Sequence, residues 1–94
     1  MRDPRVEKLA EVLVDYSVPV QPEDRVLLTG EVGAAPLLQA VYARVLQVGG
    51  YPFMLPSLPG TEELFFRYAS DQQLRRVHEP LKLITETYDA RIKI

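Results

Sequence analysis

The residues of this chain that could do chemistry are few, and their spacing does not bring them together. His78 is the only histidine. A hydrolytic metal site needs several imidazole or carboxylate ligands around one ion, and within helical reach only Glu79 could join it. His78 therefore reads as a surface or helix-end residue. Glu62 and Glu63 are adjacent carboxylates, but acids are favoured in a helix's first turn by the macrodipole, which explains them without catalysis. Arg75-Arg76, the closest basic pair, sits beside Glu79 and reads as solvated helix surface, not as a phosphate contact. The chain has no cysteine, which excludes a disulfide framework, a thiolate metal site and a cysteine nucleophile. With no nucleophile–base pair, metal cluster or phosphate loop, no catalytic, cofactor-binding or metal-ligating residue is expected in these 94 positions.

Gly30-Glu31-Val32-Gly33-Ala34-Ala35 is the one motif-like segment. It follows an apolar run and precedes a helical pattern, where open α/β sheets bind ligands. The spacing argues against a nucleotide. A dinucleotide fingerprint needs three glycines and the second would fall on Val32; no phosphate-loop lysine follows. Glu31 would repel a phosphate, and Pro36 removes one of the anion-binding amides of the helix start. A plain strand-to-helix turn is the expectation.

The elements that would position these residues are well punctuated. Asp3 caps a first helix and Pro4 occupies its first position, where a missing N–H costs nothing. Val6, Leu9, Val12, Leu13 and Tyr16 recur at helical spacing as its buried stripe, and the helix ends before Pro19. Pro22-Glu23-Asp24 is a turn, with Asp24 offering a side-chain bond to nearby backbone. Residues 25–29 form a first strand whose continuous apolar run suits burial on both faces of a parallel sheet. Residues 30–35 are its loop. Pro36 opens a second helix carried by Leu37, Leu38, Val41, Tyr42, Val45 and Leu46, and Gly49-Gly50 stops it.

Residues 51–55 form a second strand, with Pro52 arguing for an edge. Residues 56–60 are a loop. Short helices follow: one from Thr61 to about Ala69, a second from the capping box Ser70-Asp71-Gln72-Gln73 to about His78, and a third over residues 81–87. Strand three begins near Ala90. Strand, helix and strand in sequence make a right-handed βαβ unit. The fold class is α/β: a three-layer, flavodoxin-like parallel sheet of strand order 2-1-3. Tyr16, Tyr42, Phe53, Phe65, Phe66 and Tyr68 read mostly as core, although Phe65 and Phe66 cannot both face inward from one helix.

The chain is 47% hydrophobic and 26% charged with net charge −2, ordinary globular material at a length that makes one small domain. That balance gives no electrostatic argument for nucleic acid or anionic membrane. No apolar run approaches the roughly 18 residues a bilayer span needs, and no signal core follows Met1. A cytoplasmic location is the default. The sequence stops at Arg91-Ile92-Lys93-Ile94, the opening of a strand with nothing after it to cover the sheet. Residues 1–94 are therefore expected to be the front part of a larger α/β protein, exposing apolar sheet surface and an open edge at strand three.

Taken in order, the local pieces resemble a known family. Met1-Arg2-Asp3-Pro4-Arg5-Val6-Glu7-Lys8-Leu9-Ala10, Leu13-Val14-Asp15-Tyr16-Ser17, Pro22-Glu23-Asp24, Ala35-Pro36-Leu37, Val48-Gly49-Gly50-Tyr51-Pro52, Ala69-Ser70-Asp71-Gln72-Gln73-Leu74 and Pro80-Leu81 are similar to the N-terminal portion of the thermophilic-type leucyl aminopeptidases. These are the aminopeptidase T and PepS family of metallopeptidases. The resemblance implies an exopeptidase that releases N-terminal amino acids from peptides. It implies two divalent metal ions, zinc or cobalt, bound by glutamate, histidine and aspartate side chains of a later, C-terminal domain. A metal-bridging water would be the nucleophile, its pKa lowered by the cations. No position here matches that ligand motif, so none is carried over. These residues would begin the N-terminal α/β domain, which helps wall the cleft and packs a homodimer. Thr29-Gly30-Glu31-Val32-Gly33 is richer in glycine than the family's pattern.

The reading that follows is an N-terminal fragment of a metal-dependent aminopeptidase, itself inert. A free-standing flavodoxin-like binding module is the alternative, recognisable by saturable binding at the loops holding Gly30 and Ser57. A receiver-type signalling domain shares the expected strand order, but it needs acids just after strand one, where Thr29-Gly30 stand.

Overall fold

β1 (Arg25–Glu31), β2 (Tyr51–Ser57) and β3 (Ala90–Lys93) lie side by side in the order β2-β1-β3, all parallel. The computed structural model describes residues 3–76 and 79–94. Arg25 stands opposite Tyr51 and Glu31 opposite Ser57, while Val26 stands opposite Ala90 and Thr29 opposite Lys93. Among the described residues β2 and β3 are the sheet's two edges. The expected α/β class and strand order hold. Both long strands run two residues beyond the expected boundary, so Gly30-Glu31 and Pro56-Ser57 are paired strand and not loop.

The first helix, α1 (Pro4–Val12), begins where the sequence indicates: the Asp3 carboxylate accepts the Arg5 amide proton at 2.9 Å. Its buried side differs from the expected stripe. Ala10 and Val14 are buried with Val6 and Leu13 beside them, whereas Leu9 and Val12 are exposed and Tyr16 is 80% exposed. The helix does not end at Val12. It widens into a π-helical turn, Leu13–Ser17, closed by the Val18 amide donating to the Leu13 carbonyl at 2.9 Å. At 100° per residue Leu9, Val12 and Tyr16 share the side of the helix turned away from Val6, Ala10 and Val14, which leaves all three in solvent.

A turn follows in which Asp24 donates its amide to the Gln21 carbonyl at 3.1 Å and accepts the Gln21 amide on its carboxylate at 2.9 Å. Glu23 sits in this turn at φ +76°, a left-handed conformation for a residue with a Cβ. After β1, a single 3-10 turn (Val32–Ala34) leads into α2 (Ala35–Gln47), with Pro36 in its first turn. α2 ends in a Schellman motif: the Gly50 amide donates to the Val45 carbonyl at 2.9 Å, and Gly49, at φ +91°, donates to Leu46. Gly50 also leaves room for a close approach; a Cβ there would lie 2.8 Å from Val45 Cγ1 and 3.0 Å from Val20 Cγ1.

α1 and α2 cover one face of the sheet. Ala10, Val14, Val20, Val26, Leu28, Val41, Val45 and Ile92 form the core between them. Val26, Leu27 and Leu28 are all buried, as a two-sided strand requires, with Leu27 pointing to the opposite face.

Between β2 and β3 run α3 (Thr61–Tyr68), α4 (Asp71–Arg76) and α5 (Glu79–Thr87). The capping box is present: Ser70 Oγ accepts the Gln73 amide at 3.2 Å and Gln73 Oε1 accepts the Ser70 amide at 2.9 Å. α5 begins two residues before the expected residue 81, with Glu79-Pro80 in its first turn, where proline's missing amide is harmless. The aromatic residues expected in the core are mostly outside it. Tyr16, Tyr42, Phe53, Phe66 and Tyr68 are exposed, and Phe65 is half-buried with its ring edge-on to Phe66. α3 packs too little against the sheet to shelter its own Phe66 and Tyr68.

Candidate functional site

The carboxyl end of the strands is where an α/β sheet offers a site, and here it is built from Gly30, Glu31, Val32 and Ser57. Ser57 Oγ donates to the Gly30 carbonyl at 3.3 Å, tying β2 to β1. Gly30 is enclosed: a Cβ there would lie 3.2 Å from both the Ile94 carbonyl oxygen and Leu38 Cδ2. Gly33 has nothing within 4 Å. Glu31 and Val32 are exposed. The segment from Gly30 to Ala35 is thus two residues of strand and one 3-10 turn, a strand-to-helix junction without a curled loop. The α2 start has no side-chain cap, and the exposed carboxylate of Glu31 stands before it. These features favour a cation or nothing over a phosphate.

The other candidates do not converge on this end. His78 lies outside the described residues. Glu63 pairs with Arg67 at 3.1 Å one turn along α3, and Glu62 projects from the same first turn. Arg76 pairs with Glu79 at 3.1 Å. Among the described residues, no three histidine, cysteine, aspartate or glutamate side chains stand close enough to hold a metal ion. The described residues do not assemble the donor set of a dinuclear metal centre.

Sequence spacing did not single out Asp15 and Arg44. From the π-helical turn the Asp15 carboxylate receives Arg44 Nη2 at 2.6 Å and Arg44 Nε at 3.1 Å, and Arg44 Nη1 reaches Gln47 Oε1 at 3.2 Å. The two-point hydrogen bond from Arg44 holds the Asp15 carboxyl below the ordinary carboxylate range; partial burial opposes the shift and the guanidinium charge adds to it. The same hydrogen bond raises Arg44, so the pair is fully charged at neutral pH. It clamps the first helix to α2. Beside it a groove of about 340 Å³ runs between α1 and α2, lined by Val6, Glu7, Glu11, Pro36, Gln39 and Arg44 among others. The groove gathers no metal-binding cluster.

Comparison with known proteins places this architecture. Among curated proteins none matches the chain. Four solved chains match it. One is the wild-type AmpT from Thermus thermophilus, at a TM-score of 0.72 and 15% sequence identity. That match covers 94% of this chain and 23% of the Thermus chain, so the present sequence spans about a quarter of the length of its structural neighbour. At that identity the likeness speaks to the fold. No helix among the described residues is long and apolar enough to cross a membrane. The model of the thermophilic metalloproteases (M29) matches residues 2–94, essentially the whole sequence, and the chain belongs to that family.

Proposed function

We propose that these 94 residues are the N-terminal part of the α/β domain of a larger metal-dependent aminopeptidase that releases N-terminal amino acids from peptides. The observation that carries this reading is the family match over residues 2–94. The neighbour's length, of which this chain spans 23%, supports it. Two divalent metals, zinc or cobalt, are bound outside these residues by glutamate, histidine and aspartate side chains. The present chain is catalytically inert: it supplies a wall of the substrate cleft and part of a homodimer surface, and the enzyme works in the cytoplasm.

The test is the intact mass of the protein as its own gene makes it, followed by aminopeptidase assays with and without cobalt or zinc. A mass several times 10.7 kDa, with metal-dependent turnover in the whole protein and none in the 94-residue chain, is the expected result. A natural product of 10.7 kDa without peptidase activity overturns the proposal in favour of a free-standing binding module.

A further inference from the structure

Among the described residues the sheet has two edges, and their backbones are not alike. In a parallel ladder, alternate residues of a strand turn both amide and carbonyl toward one neighbour, and the residues between them turn theirs the other way. The Tyr51 amide donates to the Asp24 carbonyl at 2.7 Å, so Tyr51 faces β1. Phe53, Leu55 and Ser57 follow it, and the outward positions of β2 are Pro52, Met54 and Pro56. Two of these three have no N–H to offer, and a ring carbon stands where each proton would be. On β3 the Ile94 amide donates to the Thr29 carbonyl at 2.9 Å, which turns Ala90 and Ile92 inward and Arg91 and Lys93 outward. Both outward residues of β3 keep their amides. The Asp89 amide, which donates to the Arg25 carbonyl at 2.9 Å, belongs to the turn before the strand.

The prolines stand where an added strand would need donors. In a central strand each would cost a ladder hydrogen bond, but here the amides that face β1 belong to the odd-numbered residues and none is lost. A strand laid against β2 could donate to the outward carbonyls. Two of its own carbonyls would meet proline rings, and only Met54 would answer with a proton. β2 needs such protection. It runs for seven residues with Tyr51, Phe53 and Leu55 exposed, a long apolar edge of the kind that pairs with other chains.

We propose that Pro52 and Pro56 together close the free edge of β2 to strand addition, so that no further strand, from this chain or from another copy, pairs there. The inference concerns the backbone of one edge; it goes beyond the peptidase reading and stands whether or not that reading does.

Pro52→Ala with Pro56→Ala restores both donors without adding apolar surface. In the 94-residue chain, sedimentation velocity should show the double variant self-associating at a concentration at least about tenfold below the parent. Its amides at positions 52, 54 and 56 should gain protection from hydrogen exchange as it does so. Pro56→Ala alone restores one donor at an exposed position, so it leaves the core untouched and should give a smaller shift of the same sign. Unchanged circular dichroism of that single variant is the control for folding. Association equal to the parent's in both variants overturns the proposal. So does stronger association in which the outward amides of β2 still exchange freely, because the contact is then made by side chains and not by a paired strand.

Discussion

Arg44 holds Asp15 at both carboxylate oxygens, at 2.6 and 3.1 Å, across 29 residues of sequence. The Asp15 carboxyl is thereby held below its ordinary value. A carboxyl with a lowered folded-state pKa stabilises the fold above its unfolded value, near pH 3.9, and that contribution disappears as pH falls through the folded-state value. Asp15→Asn should therefore melt below the parent by a margin that is constant above about pH 5 and shrinks steadily below about pH 4. Thermal melts across that range check it; a margin independent of pH would show that the pair acts through packing alone.

Gly50 and Gly33 should respond oppositely to the same change. Alanine at 50 drives a methyl to 2.8 Å from Val45 Cγ1 and 3.0 Å from Val20 Cγ1, both in the packed core. The expected loss is about 1–3 kcal/mol. Alanine at 33 meets nothing within 4 Å, and its 3-10 conformation suits an L-residue. Stability there should stay within about 0.5 kcal/mol or rise slightly. Urea titrations of the two variants decide the matter.

Glu23 adopts φ +76° while donating its amide to the Gly49 carbonyl at 2.9 Å, so the turn cannot relax without losing that bond. A side chain in this region costs about 1–2 kcal/mol. Glu23→Gly should keep or raise the melting temperature, and Glu23→Val should lower it, because a β-branched residue tolerates the region least. A Gly variant that melts well below the parent would mean that the Glu23 side chain itself stabilises the turn.

The capping box of α4 offers a local test. Ser70→Ala removes the acceptor of the Gln73 amide and should destabilise the helix start by about 1 kcal/mol. Every described residue of α4 is exposed, so the loss should stay local. Amide exchange should quicken from residue 71 to 76 while the global melting temperature holds. A fall in the global transition would show that α4 is coupled to the core.

What could be read directly from the chain is what depends on neighbours in sequence. The Asp3-Pro4 helix start, the turn closed by Asp24, the Gly49-Gly50 stop and the Ser70–Gln73 box each act within a few residues, and each is found where its residue types place it. The continuous apolar run of residues 26–28 likewise announced a strand buried on both faces, and with it the α/β class. M29 membership was legible for the same reason: it rests on the order and spacing of such local pieces.

Tertiary structure decided the rest, because it depends on partners far along the chain. Gly30 and Pro56 are poor strand formers, yet they extend their strands by facing each other across a ladder already formed. Packing against α2 and the sheet chose Ala10 and Val14 as the buried side of the first helix, against the stripe through Leu9, Val12 and Tyr16. Asp15 and Arg44 became partners only when α2 packed beside α1. The side-by-side placement of Phe53, Leu27 and Arg91 exists only as a register of three strands. Periodicity says that a side chain turns aside every second residue; it cannot say what stands beside it on the next strand.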